Sequence, residues 1–132
     1  MTTTVLIADD DPTLRAIAAE LLSGEGYRVL EAEDGDQALR IVEAETVDLI
    51  VLDMLMPNKD GIETIIELKR RRSSVRILAI SSGGSMDVNS LLNPALAFGA
   101  DRVMSKPLRI STFATTIAEM LAGPSVASSP FD

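Results

Sequence analysis

Val47-Asp48-Leu49-Ile50-Val51-Leu52-Asp53-Met54-Leu55-Met56-Pro57 is an apolar run that closes on a carboxylate and then reaches a proline. A short apolar run bounded by turn residues fits a strand buried on both faces. Upstream, Val5-Leu6-Ile7-Ala8 runs in the same way into Asp9-Asp10-Asp11-Pro12. If the two strands lie side by side and parallel, the acids at their C-terminal ends converge on one small volume. Like charges so close are costly unless a cation sits among them. That convergence is the best clue to the function of the chain.

Outward from these two runs, short apolar segments alternate with helical periodicity. Asp11 can cap a helix with Pro12 at its first position, and Leu14, Ile17, Ala18, Leu21 and Leu22 then form one apolar stripe. Ser23-Gly24-Glu25-Gly26 stops it. A weaker strand, about Arg28 to Glu31, leads through Asp34-Gly35 to a helix carrying Ala38, Leu39, Ile41 and Val42. After the third strand (Val47 to Asp53), Ile62, Ile65 and Ile66 begin a helix ending in Lys69-Arg70-Arg71-Arg72, cations that suit a helix C-terminus. A fourth strand, about Val75 to Ile80, precedes a loop opening at Ser81-Ser82-Gly83-Gly84-Ser85. A short helix near Leu91 to Phe98 follows, with Pro94 tolerable only in its first turn. Arg102 to Ser105 is the fifth strand, then Lys106-Pro107. The last helix shows Ile110, Phe113, Ala114, Ile117 and Leu121 on one face. Residues 1–122 read as one domain and 123–132 as a loose tail.

Strict alternation of strands and helices predicts an α/β fold, a doubly wound five-stranded parallel sheet with five helices. Such sheets carry their sites at the carboxyl ends of the strands, where strand order reverses. In the order 2-1-3-4-5 that point lies between strands 1 and 3, beside Asp9, Asp10 and Asp53.

Composition narrows the chemistry. The 132 residues are 46% hydrophobic and 24% charged but only 3% aromatic, which predicts a soluble domain with an aliphatic core. Without Cys or His, thiol nucleophiles, zinc-thiolate sites and imidazole acid–base chemistry are excluded. A net charge of −8 argues against nonspecific attraction to nucleic acid. No segment has the length and apolarity of a membrane span or the pattern of a leader, so the expected location is cytoplasmic, without membrane insertion.

The candidate constellation is Asp9, Asp10, Asp53, Ser81 and Lys106. Carboxylates and backbone carbonyls are hard oxygen ligands suited to Mg²⁺, and a carboxylate can attack phosphorus to give an aspartyl phosphate. Phosphoryl transfer asks for in-line placement and neutralised equatorial oxygens, which a metal, an ammonium and a hydroxyl supply. Each residue alone has a plainer reading: Asp10-Asp11-Pro12 as a helix cap, Asp53 as a turn residue, Lys106 as a solvated surface lysine and Ser81 as loop. Their joint occurrence at strand ends favours a site.

In order and spacing, VLIADDDP, LIVLDMLMPNKDG, ILAIS and SKP resemble the receiver domain of two-component response regulators, over about residues 4–122. The resemblance implies a flavodoxin-like fold with Asp53 as phosphoacceptor. The donor would be a sensor histidine kinase or a histidine phosphotransfer protein. It also implies Mg²⁺ held directly by Asp10 and Asp53, with Asp9 acting through water and the Leu55 carbonyl as a further ligand. Ser81 would bond a phosphoryl oxygen, Lys106 would pair with the phosphate or Asp53, and the Lys106-Pro107 bond would be cis. Phosphorylation would then change binding of a downstream protein at the face made by helix 4, strand 5 and helix 5. The resemblance describes a signalling switch rather than an enzyme, a stand-alone receiver acting as a monomer or weak dimer.

Three features depart from the family pattern. Val103 stands where the switch aromatic is expected. The span from Ser81 to Lys106 is long, with extra glycine and serine after the strand, and that loop is expected to be mobile until phosphorylation orders it. Leu55 and Gly83 occupy positions that often hold polar residues. Neither orients an attacking water, so slow self-dephosphorylation is expected. Two other classes compete with this one. A phosphatase with an aspartyl phosphate intermediate would want an acid where Leu55 stands. A receiver-like interaction module that is never phosphorylated is favoured by Val103 but opposed by the intact acids and Lys106.

Overall fold

The computed structural model describes residues 2–82 and 89–122. The expected mobile loop, including Gly83, and the expected loose tail lie outside those residues. The elements are β1 (Thr4–Ala8), α1 (Pro12–Gly24), β2 (Arg28–Ala32), α2 (Gly35–Ala44), β3 (Leu49–Asp53), α3 (Gly61–Arg70), β4 (Arg76–Ser82), α4 (Asn89–Phe98), β5 (Arg102–Lys106) and α5 (Ile110–Ala122). All strand pairs are parallel, in the order β2-β1-β3-β4-β5. This is the doubly wound sheet that the alternation of elements predicts, in the flavodoxin-like form that the resemblance implies.

Side chains on a strand alternate between faces, and here both faces are apolar. Leu6, Ala8, Ile50, Leu52, Ile77 and Ala79 point to one side and pack on Ala38 and Leu39 of α2, Ile65 and Leu68 of α3, and Ala95 of α4. Val5, Ile7, Leu49, Val51, Leu78 and Ile80 point to the other and pack on Ala18 and Leu22 of α1 and Phe113, Ile117 and Met120 of α5. The central strands are therefore continuous hydrophobic runs with no polar alternation.

Helix starts follow local chemistry. The Asp11 carboxylate accepts from Thr13 N–H at 2.9 Å and Leu14 N–H at 3.4 Å, with Pro12 at the first helical position. Asp60 and Glu63 form a reciprocal capping box at α3. Lys69 and Arg70 occupy the last turn of α3, and Arg70 and Arg71 both pair with Glu67.

Several elements differ from the sequence expectation. β4 extends through Ser82, because Ser81 and Ser82 pair with Ser105 and Lys106. Ser81 thus lies within a strand instead of opening a loop. α4 begins at Asn89, which puts Pro94 inside the helix, not in its first turn. On α1 and α5 the apolar stripes are only partly covered: Ile17 is 57% and Ile110 63% exposed. Two helices cover this face and three the other, so residues at the edges of the α1 and α5 stripes line a groove between them. Thr116 and Met120, not Ala114 and Leu121, complete the buried face of α5.

Candidate functional site

Register brings the site together. Ala8 of β1 lies opposite Leu52 of β3, so Asp9, the next residue, arrives level with Asp53. Asp53 itself pairs with Ile80, which leaves Ser81 one step beyond it. On the far side Ser82 pairs with Lys106. Neighbours far apart in sequence therefore end at one height on the sheet's carboxyl edge.

Asp9 is fully buried, Asp53 is 4% exposed and Asp10 is exposed. Each offers a carboxylate oxygen, and these atoms lie within 4.8 Å of one another. Lys106 bridges the two buried acids, with Nζ 2.8 Å from Asp9 Oδ2 and 3.4 Å from Asp53 Oδ2. The shorter contact is an ion pair whose direction is off the hydrogen-bonding line, since Asp9 Oδ2 has no aligned donor among the described residues. Asp53 Oδ1 accepts from Leu55 N–H at 3.3 Å, while the Leu55 side chain is 55% exposed at the mouth.

Burial, and next the Asp9 charge, push the Asp53 carboxyl up to about 6, against the opposing pull of Lys106 and the Leu55 N–H. Burial draws the Lys106 ammonium down, but the close contact with Asp9 and the charges of both acids outweigh it, leaving its pKa raised. Two buried acids on one ammonium are short of positive charge. Hard oxygen donors crowded in this way fit a divalent cation such as Mg²⁺. The Ser81 hydroxyl is buried, and its oxygen has no hydrogen-bond partner among the described residues. A buried hydroxyl with no partner among the described residues has a donor to offer a ligand at the site.

The surrounding loops hold this arrangement. A Cβ on Gly61 would lie 2.6 Å from the Asp53 carbonyl oxygen and 2.5 Å from Met54 Cε, so only glycine lets α3 start against the end of β3. Asn58, at a φ of 66°, donates from Nδ2 to Asp34 Oδ2 at 2.7 Å and ties the loop after β3 to the start of α2. The Lys106-Pro107 bond is cis.

A family model for the response regulator receiver domain matches residues 5–118. The chain belongs to that family. This receiver domain is 40% identical over 103 residues to the transcriptional regulatory protein CpxR of Klebsiella pneumoniae subsp. pneumoniae (strain HS11286), covering 78% of this chain and 42% of that protein. It is 32% identical over 117 residues to sporulation initiation phosphotransferase F of Bacillus subtilis (strain 168), covering 89% and 92% respectively. The receiver domain protein (CheY-like) of Methanospirillum hungatei JF-1 matches with a TM-score of 0.86 at 25% identity, over 97% of this chain and 100% of that one. The receiver spans less than half the length of CpxR. Among the described residues no helix is long and apolar enough to cross a membrane.

The structure brings Asp9, Asp10, Asp53, Ser81 and Lys106 to one edge, with the Leu55 backbone beside them. Val103 is partly buried against the core under α2, α3 and α4. Sequence reading overlooked Arg15, whose Nη1 donates to the Asp9 carbonyl at 2.7 Å. A cation early in a helix, where the dipole disfavours it, was the available signal.

Proposed function

We propose that this receiver is a phosphorylation-dependent switch that takes a phosphoryl group onto Asp53 from a histidine on a partner kinase or phosphotransfer protein. The observation that carries the reading is the single ammonium of Lys106 bridging buried Asp9 and Asp53, beside exposed Asp10. Ionised Asp53 attacks phosphorus in line. A P–O bond forms to one carboxylate oxygen, the P–N bond of the phosphohistidine breaks, and the departing imidazole nitrogen takes up a proton. Lys106 holds the carboxylate and then faces the new phosphoryl group, and the Ser81 hydroxyl donates to one of its oxygens. Mg²⁺, held directly by Asp10, Asp53 and the Leu55 carbonyl and through water by Asp9, would neutralise charge on the transferring group.

Two surfaces support a switch with separate input and output. Leu14, Ile17, Leu21, Leu108 and Ile110 line an apolar groove that begins beside Asp11 and Lys106, at the lip of the site. Its position suits a helix of the phosphodonor, whose imidazole must reach Asp53. On the other flank, Leu96 and Phe98 of α4 are 45% and 49% exposed. We assign the downstream partner to this face of α4, β5 and α5, where the phosphorylated state is selected by differential affinity.

Incubation with acetyl phosphate and Mg²⁺, read by phosphate-affinity gel, tests the reading. A shifted band is expected for the wild type and none for Asp53→Asn. An unshifted wild type that also fails to bind beryllofluoride would favour an interaction module that is never phosphorylated.

A further inference from the structure

Arg15 is the fourth residue of α1, a place where positive charge opposes the helix dipole. Its side chain does not escape into water. It is 14% exposed and folds back over the helix start, with Nη1 donating to the Asp9 carbonyl oxygen at 2.7 Å and Nε donating to Glu31 Oε1 at 3.2 Å. The rest of Asp9 is also held. Its N–H donates to the Ala32 carbonyl at 3.1 Å, and its Oδ1 accepts from Asp11 N–H at 2.9 Å. Arg15 therefore fixes the last backbone group of Asp9. That carbonyl shares one planar peptide unit with the N–H of Asp10, so gripping it sets the plane from which Asp10 departs.

The helix does not need this arginine. α1 is capped by Asp11, started by Pro12 and anchored by buried Ala18 and Leu22. What Arg15 adds is a rigid support for two adjacent carboxylates, delivered through a carbonyl so that neither acid is consumed in an ion pair with it. Glu31 balances its charge at the end of β2.

We propose that Arg15 is a positioning residue for the divalent cation, holding the Asp9-Asp10 peptide so that both carboxylates face the site. The proposal rests on the metal-assisted reading above. Outer partners of this kind orient inner ligands, and their loss commonly weakens metal binding severalfold or more. Removing Arg15 alone would also remove a cation from an acidic cluster and so favour metal binding. The double variant Arg15→Met/Glu31→Gln avoids this, because it deletes both charges and keeps the length of each stem.

Mn²⁺ serves as the probe, titrated into purified protein and followed by electron paramagnetic resonance, beside thermal melts in chelator. The double variant is expected to raise the Mn²⁺ Kd by roughly tenfold with the metal-free melting temperature unchanged. Arg15→Lys, which keeps the charge but has one head group for two acceptors, is expected to raise it less, and it carries the test if the double variant does not fold. Wild-type affinity in the variants overturns the proposal. So does a Kd loss matched by a fall in the metal-free melting temperature, which would mark a merely structural role. A wild type that binds no Mn²⁺ overturns the metal-assisted reading itself, a result distinct from wild-type binding that the variants share.

Discussion

Replacing Asp53 by Asn should make the metal-free protein more stable, and the gain should depend on pH. The Asp53 carboxyl rises from an ordinary 3.8 to about 6 in the folded chain, chiefly through burial and then through the Asp9 charge. Each unit of pKa is worth about 1.4 kcal/mol, so keeping Asp53 ionised costs the folded state about 3 kcal/mol above pH 6. The folded chain binds this proton more tightly than the unfolded chain. Stability therefore falls as pH rises from about 4 to about 6 and stays lower beyond. Asparagine has nearly the same shape and no charge to desolvate. In chelator at about pH 7.5 the variant should exceed the wild type by about 3 kcal/mol, and the difference should vanish near pH 4. Urea unfolding followed by far-ultraviolet circular dichroism measures it, since the chain has no tryptophan. Taking the difference between the two proteins removes the titration of every other acid. Adding Mg²⁺ should narrow the gap, because a ligand of the folded wild type stabilises it by mass action. An Asn variant no more stable than wild type at neutral pH, or a gap that does not close on acidification, would refute the argument that Asp53 is held against its own desolvation.

Lys106→Met removes the ammonium shared by Asp9 and Asp53 and should cost roughly 3 kcal/mol at neutral pH without metal. The loss should shrink as the acids protonate or Mg²⁺ is added, both visible in thermal melts. Ser81→Ala removes a hydroxyl that has no partner among the described residues. Metal-free stability should hold or rise by about 1 kcal/mol, while phosphorylation by acetyl phosphate slows by roughly tenfold or more; a stability loss with unchanged rate would contradict the role given to Ser81. Leu55 stands exposed at the mouth with nothing to orient water, so phospho-Asp53 should decay slowly, and Leu55→Asn should speed the decay by roughly tenfold. A wild-type half-life of only seconds by phosphate-affinity gel would refute this. Ile17→Glu, on the groove between α1 and α5, should slow transfer from a phosphohistidine protein and leave the acetyl phosphate reaction unchanged; equal slowing of both would remove the groove from donor docking.

Local sequence logic carries far where a residue's role depends on near neighbours. The apolar runs at Val5 and Leu49, the Asp11-Pro12 helix start and the basic end of α3 all follow from short-range physics: side-chain periodicity, caps and dipoles. The alternation of these elements predicts a parallel sheet, and parallel order places acids at the carboxyl edge. That is why Asp9, Asp10 and Asp53 stand out as a group before any coordinates are known. The same logic errs where length and coverage are set by partners. Ser81 reads as loop because serine and glycine follow it, yet pairing with Ser105 keeps it in β4. Ile17 and Ile110 read as core because the period fits, yet only α1 and α5 cover their face.

Fold class and chemical inventory are legible in the chain of this receiver, because periodicity and residue type are local properties. The rest came from packing. Register made Asp9 level with Asp53 and set one ammonium between them, burial lifted the Asp53 carboxyl, and a side chain six residues away in sequence closed on the Asp9 carbonyl. Distances and desolvation depend on which strands are neighbours and what covers them, and no stretch of the chain contains that information alone.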